Sequence, residues 1–368
     1  MISKLKSSLA QNIVNMRGWK TNRKIVVFES DDWGSIRITN KESLNKLRKA
    51  GVKVDKCPYM LNDALEDNND MESLFEVILS KKKSPVITAN FLTANPDFSK
   101  IRESGFSEYF YESIEDSLLR YPNHHKVKEY WNTGMNTGFF IPQLHGREHL
   151  NISRWMSDLQ NKNSETMTAF DLGIFGVSAH VVQQKRESYQ AAFDSGLNNF
   201  PTNHTAIITD AVNQFQELFN FKPTTFIAPN YVWGEEVEKA TSSLGIKHIQ
   251  GVSAQKFPKN EKGEQSIKRN NLGFKNNYNQ KYLIRNGAFE PFTNPNKDWV
   301  NSCMKDINNA FFWGKPSVIS IHRVNFVGSI NQKNREQNLK LFSLLVDKIT
   351  KKWPDVEFMS SAQLAKFI

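Results

Sequence analysis

Short apolar runs that end in polar residues alternate along this chain with stretches whose apolar positions recur at helical spacing. Ile25-Val26-Val27-Phe28 reads as a buried strand running through Glu29-Ser30 into Asp31-Asp32-Trp33-Gly34. Further strands are predicted at Pro85–Phe91, Gly138–Leu144, Thr224–Pro229, Ile246–Val252, Tyr282–Arg285, Pro316–His322 and Val356–Met359. Between them the spacing predicts helices over 41–50, 205–220, 235–244, 297–312 and 331–351, several with capping residues or a terminal glycine. Residues 108–134 read as aromatic loop and helix near the mouth of a site, 150–200 as a largely helical excursion, and 255–280 as a solvated loop. Seven or eight strands separated by helices predict an α/β fold, a distorted (β/α) barrel of mostly parallel strands with one helical insertion.

A barrel gathers chemistry at the carboxyl ends of its strands. Asp31, Asp32, Asn90, His145, His149, Asn230, Arg285 and His322 all fall at or just past those ends. In His145-Gly146-Arg147-Glu148-His149 two imidazoles four positions apart can share one ion, and Zn²⁺ wants such nitrogens plus an oxygen. Two adjacent carboxylates closing an apolar strand are costly to bury without a cation, so Asp32 is the oxygen candidate. Each signal alone has a bland alternative: a chance histidine pair, a capped or solvated Asp-Asp, a satisfied core histidine at 322, a helix N-cap at Asp298.

Composition narrows the partners. The chain has 368 residues and a net charge of +10, but its basic residues are dispersed, which fits a solvated surface better than a nucleic-acid groove. An acidic glycan or a lipid headgroup would still be attracted. Two cysteines far apart make neither a disulfide framework nor a thiolate site. No run is long enough for an export signal or a membrane span, so a cytoplasmic role is expected. Residues 1–23 carry Ile2, Leu5, Leu9, Ile13 and Met16 on one helical face, expected to pack on the barrel formed by 24–368. The other reading of that face is docking on a membrane surface.

The motifs resemble those of the polysaccharide deacetylase family, carbohydrate esterase family four, a distorted (β/α) barrel. Phe28–Asp32 resembles its strand-end Asp-Asp motif, His145–His149 its two-histidine motif, Ile227–Tyr231 its third motif, Asp298-Trp299 its Asp-Trp motif and Ile319–His322 its last. The resemblance implies a divalent metal, foremost Zn²⁺ with Co²⁺ or Ni²⁺ as alternatives, on Asp32, His145 and His149. It implies Asp31 as general base, His322 as general acid, and the backbone N–H of Tyr231 at an oxyanion. The implied reaction removes an N- or O-linked acetyl group from a saccharide; the expected cytoplasmic role suggests surface polysaccharide assembly as its setting. Trp33, Asn230, Tyr231, Trp233 and Arg285 are the expected substrate contacts. The sequence departs from the family pattern at Gly146, where a hydroxyl residue is usual, and at Trp33, where a small glycine is common. It also lacks an arginine before Pro229; Arg285 or Arg323 could substitute from another strand, though both read first as plain salt-bridge partners. Glu290 is a further polar candidate with no role. Two rivals remain: a zinc peptidase of the His-x-x-Glu-His type with Glu148 as base, and a glycan-binding relative without catalysis.

Overall fold

The computed structural model describes residues 12–195 and 200–368. Its strands are β1 (Ile25–Trp33), β2 (Ile87–Leu92), β3 (Ala94–Pro96), β4 (Tyr111–Ser113), β5 (Phe140–Gly146), β6 (Thr225–Ile227) and β7 (His248–Val252). They continue with β8 (Ala254–Lys256), β9 (Ile267–Arg269), β10 (Lys281–Arg285), β11 (Gly287–Ala288), β12 (Ser317–His322) and β13 (Glu357–Phe358). The main sheet runs β10-β7-β6-β5-β2-β1-β12-β11, with β13 added on β1, and every pair in it is parallel.

The two ends of that order are one stretch of chain. β10 pairs with β7 and β11 pairs with β12, and only Asn286 separates them. Asn286 stitches the join: its N–H donates to the Val318 carbonyl (3.0 Å) and its Oδ1 accepts from the Val318 N–H (2.8 Å). The sheet thus closes into the expected distorted barrel, with helices outside it as parallel crossovers require.

The interior is layered, because alternate residues of a strand face inward. At the amino-terminal end Ile25, Val27 and Val318 form an apolar layer, plugged by Met359 and Leu364. The next layer is polar and dry. Glu29, Thr88, Gln143, Thr225 and Gln250 are wholly buried and linked through Ser361 of the short helix Ser361–Leu364. Ser361 Oγ donates to Glu29 Oε1 at 2.6 Å. The third layer carries Asp31, Asn90, His145, Arg285 and His322. Outward positions such as Phe28 pack on Phe342 and Phe358 instead.

Some expectations need correction. Among the described residues, helix in the excursion is confined to Ile152–Gln160 and Ser164–Asp171, and 172–195 is irregular. The supposed loop at 255–280 contains the antiparallel β8–β9 hairpin. The N-terminal segment is helical at 12–16 but turns Ile13 and Met16 to solvent, each about half exposed. It docks through amides: Asn12 accepts from Asn309 and Trp313, and Asn15 donates to Asn309 at 2.7 Å. Lys315 secures it further, donating to the carbonyls of Arg17, Gly18 and Trp19 at 2.7–2.8 Å. Ile2, Leu5 and Leu9 lie outside the described residues. Both cysteines are free and buried.

Candidate metal and acid–base centre

A regular strand would send Asp31 and Asp32 to opposite faces. β1 avoids this with a bulge. Its register against β2 shifts between Ser30 and Trp33, and Asp32 takes φ 75°, a left-handed conformation that costs energy for a residue with a side chain. Both carboxylates thereby face the open end of the barrel. The same bulge rotates Trp33 outward. It is 1% exposed, packs on Phe91 and Phe140, and donates from Nε1 to Ser30 Oγ (2.9 Å). Trp33 is core, not a sugar platform.

Asp32 meets two imidazoles. Its Oδ1 lies 3.3 Å from His145 Nε2 and 3.6 Å from His149 Nε2, and the three side chains offer ligand atoms all within 4.8 Å of one another. Two tetrahedral ligand atoms about 2.0–2.1 Å from a shared Zn²⁺ stand about 3.3 Å apart, so the spacing fits a common ion. Two further observations fit. Asp32 Oδ1 is buried with no hydrogen-bond donor. His145 gives its Nδ1 proton to the Ile227 carbonyl (2.9 Å), which leaves a lone pair on the Nε2 facing Asp32. Burial pushes the His149 pKa down to about 4, keeping that imidazole neutral and able to ligate. Gly146, between the histidines, has φ 128°, open to glycine and strained for the hydroxyl residue expected there.

Asp31 is held by an arginine from across the barrel. Arg285 donates from Nη2 to Oδ1 (2.6 Å) and from Nη1 to Oδ2 (2.7 Å), while its Nε donates to Glu29 (2.6 Å). Asn90 adds a donor to Oδ1 at 2.7 Å. Burial alone would raise the Asp31 pKa, but the guanidinium beside it holds the group down to about 2. Arg285 is 4% exposed and fully engaged, so it orients the aspartate rather than contacting substrate. Arg323 lies elsewhere, paired with Asp63 (3.0 Å) and Glu66 (2.8 Å). Glu66 in turn accepts from the Gly34 N–H, bracing the chain just past the bulge.

His322 stands opposite Asp31, its Nε2 3.8 Å from Oδ2. Its Nδ1 pairs with Glu290 Oε1 at 2.6 Å, and the other oxygen of Glu290 accepts from the His322 N–H and Asn325. Burial would lower the imidazole pKa, but the Glu290 carboxylate pushes it up to about 10. Glu290 therefore keeps a proton on His322 at neutral pH. Its signal in the sequence was only a buried-looking Phe-Glu-Pro one strand earlier.

The remaining candidates separate. Asp298 caps the helix Trp299–Phe312, its Oδ1 accepting from the Asn301 N–H, and it lies on the surface. Trp233 is 1% exposed, bonded through Nε1 to Glu238 (3.0 Å), and is core. The Tyr231 N–H is bound to the Ala228 carbonyl (3.0 Å) in a tight turn, so it is no oxyanion donor. Its phenol does border the site, accepting from Arg285 Nη1 at 3.0 Å. Asn230 is exposed beside it, and both residues have left-handed backbones. Glu148 points elsewhere, into a buried knot with Arg147 (2.7 Å) and Tyr109 (2.9 Å). The peptidase pattern needs a helix through both histidines; here strand β5 delivers the first and a bend the second.

No protein-family model and no curated protein matches the chain. Among solved structures it is similar to a probable polysaccharide deacetylase from Pseudomonas aeruginosa PAO1, at 8% identity and a TM-score of 0.45, covering 94% of this chain and 91% of that one. It is similar to Puue allantoinase at 10% identity and a TM-score of 0.43, covering 95% and 91%. It is also similar to a variant of the peptidoglycan deacetylase PdaC from Bacillus subtilis, at 11% identity and a TM-score of 0.36, covering 94% and 91%.

Proposed function

We propose that this chain is a metal-dependent hydrolase that removes an acetyl group from a saccharide. One observation carries the reading: an orphaned buried carboxylate oxygen faces two imidazole nitrogens, flanked by an arginine-clamped aspartate and a carboxylate-paired histidine. Asp32, His145 and His149 would hold the ion, with Zn²⁺ suiting the nitrogen–oxygen set best. A divalent ion there supplies Lewis acidity, which acidifies water and polarises the acetyl carbonyl.

The rest of the chemistry belongs to the side chains. Asp31, ionised at every physiological pH, orients the attacking water through Oδ2 and takes its proton. Arg285 fixes the aspartate's plane so that this oxygen faces the site. His322, protonated and aimed by Glu290, delivers the proton on Nε2 to the departing amine or alkoxide. The glycan-binding alternative rested on a missing arginine beside the base; Arg285 supplies that contact from β10.

The test joins metal analysis to acetate release. The metal-loaded protein should release acetate from acetylated saccharides. Asp31→Asn should cut the rate about 10²–10⁴-fold with metal content unchanged. Asp32→Asn and His149→Ala should each lose the metal. A chain that takes up no divalent metal, or holds it equally well without Asp32, refutes the assignment.

A further inference from the structure

Arg37 is a cation without a counter-ion at the edge of the centre. Its guanidinium donates to two neutral acceptors, Gln190 Oε1 and Ser178 Oγ (3.2 Å), both on the irregular segment that leans over the barrel. Its Nε is buried with no acceptor, and it forms no ion pair among the described residues. Asp63, the carboxylate that feels its charge, is already bonded to Arg323 at 3.0 Å. The side chain is part-buried, and its Nε–H is withdrawn from water with no acceptor, a donor that a ligand oxygen would satisfy.

Its position is specific. Arg37 Cζ lies 5.4 Å from the centroid of the Tyr59 ring, and His322 is edge-on to the same ring with centroids 5.5 Å apart. The guanidinium and the acid histidine thus both sit against one tyrosine, which keeps them within reach of one substituted sugar residue. The charge of Arg37 also reaches His149. Gly176 makes room for the side chain: a Cβ there would stand 3.0 Å from Arg37 Cδ and 3.3 Å from Nη1. The chain's net charge of +10 acts in the same sense at long range.

We infer that Arg37 forms an anion subsite beside the metal centre, and that the saccharide deacetylated here carries an anionic oxygen group, a carboxylate or a phosphate, close to its acetyl group. The guanidinium fork suits either anion and gives bidentate hydrogen bonds that an uncharged sugar cannot match. This substrate class rests on the hydrolase reading above.

The test compares three acetylated substrates with the metal-loaded protein: a neutral oligosaccharide, the same chain bearing a uronic carboxylate, and a phosphorylated acetyl sugar. One or both anionic substrates should show kcat/KM about 10- to 100-fold above the neutral one. The better of the two identifies the anion. Arg37→Gln should raise KM for that substrate and bring the anionic-to-neutral ratio toward one, and Arg37→Lys should recover part of it. A purely structural Arg37 would instead lower all three rates together and leave the ratio intact, which overturns the subsite. So does equal turnover of all three by the unaltered protein, with deacetylation itself standing. Absence of acetate from every substrate removes the hydrolase reading and the subsite with it.

Discussion

The two ends of the barrel both bury their inward residues and are held together by opposite means. At the amino-terminal end Ile25, Val27 and Val318 meet a plug of Met359 and Leu364, all apolar, and the strands there keep regular register. Six residues further along β1, Asp31 and Asp32 are 3% and 9% exposed, yet they sit among charged neighbours, and the backbone at Asp32 is forced left-handed. Burying apolar surface stabilises without demanding a partner. Burying a carboxylate stabilises nothing unless a specific counter-charge meets it. One end is therefore tolerant and the other is exacting, and a single strand crosses from one regime to the other.

Substitutions at the two ends should separate these regimes. The largest effect is expected from Arg285→Met, which strands Asp31 and Glu29 without their shared cation. Stability should fall by about 3–5 kcal/mol in denaturant titration at neutral pH, with acetate release lost as well. A loss below about 1 kcal/mol would mean that the clamp is dispensable.

Next comes the acid. The folded pKa of His322 lies above its ordinary 6.5, so the stability its pairing contributes is complete below about pH 6.5 and is lost as pH rises through about 10. Glu290→Gln removes the charge that holds the proton. The alkaline limb of the kcat/KM profile should move to lower pH by about 1–3 units. An unmoved limb would assign it to another group. The smallest effect belongs to the apolar layer: Ile25→Val should cost about 0.5–1.5 kcal/mol and leave kcat per folded molecule unchanged.

The fold was largely legible because each barrel strand is a short apolar run ending in a polar residue. The candidate ligands were legible because Asp31-Asp32 and His145–His149 are local in sequence. Their partners were not. Arg285 reaches Asp31 across 254 positions, and only closure of the ring brings them together. Glu290 serves a histidine 32 positions later because β11 pairs directly with β12. Trp33 was misplaced by one geometric detail: period-two counting puts it on the same face as Asp31, and the bulge at Asp32 undoes the count. The buried glutamines and threonines of the middle layer gave no sign of being interior, since polar residues within an apolar run read equally well as its outward face.

The seam at Asn286 sets an order of events for the nascent chain. All three proposed metal donors lie before residue 150, whereas Arg285, Glu290 and His322 arrive on the last segments to be synthesised. A ribosome-bound fragment ending near residue 250 would already carry a complete ligand set but neither the arginine that aims the base nor the acid with its carboxylate. On the function proposed above, the ligand set is therefore complete in the chain before the groups that would make it reactive, which come with the C-terminal third that zips the cylinder shut.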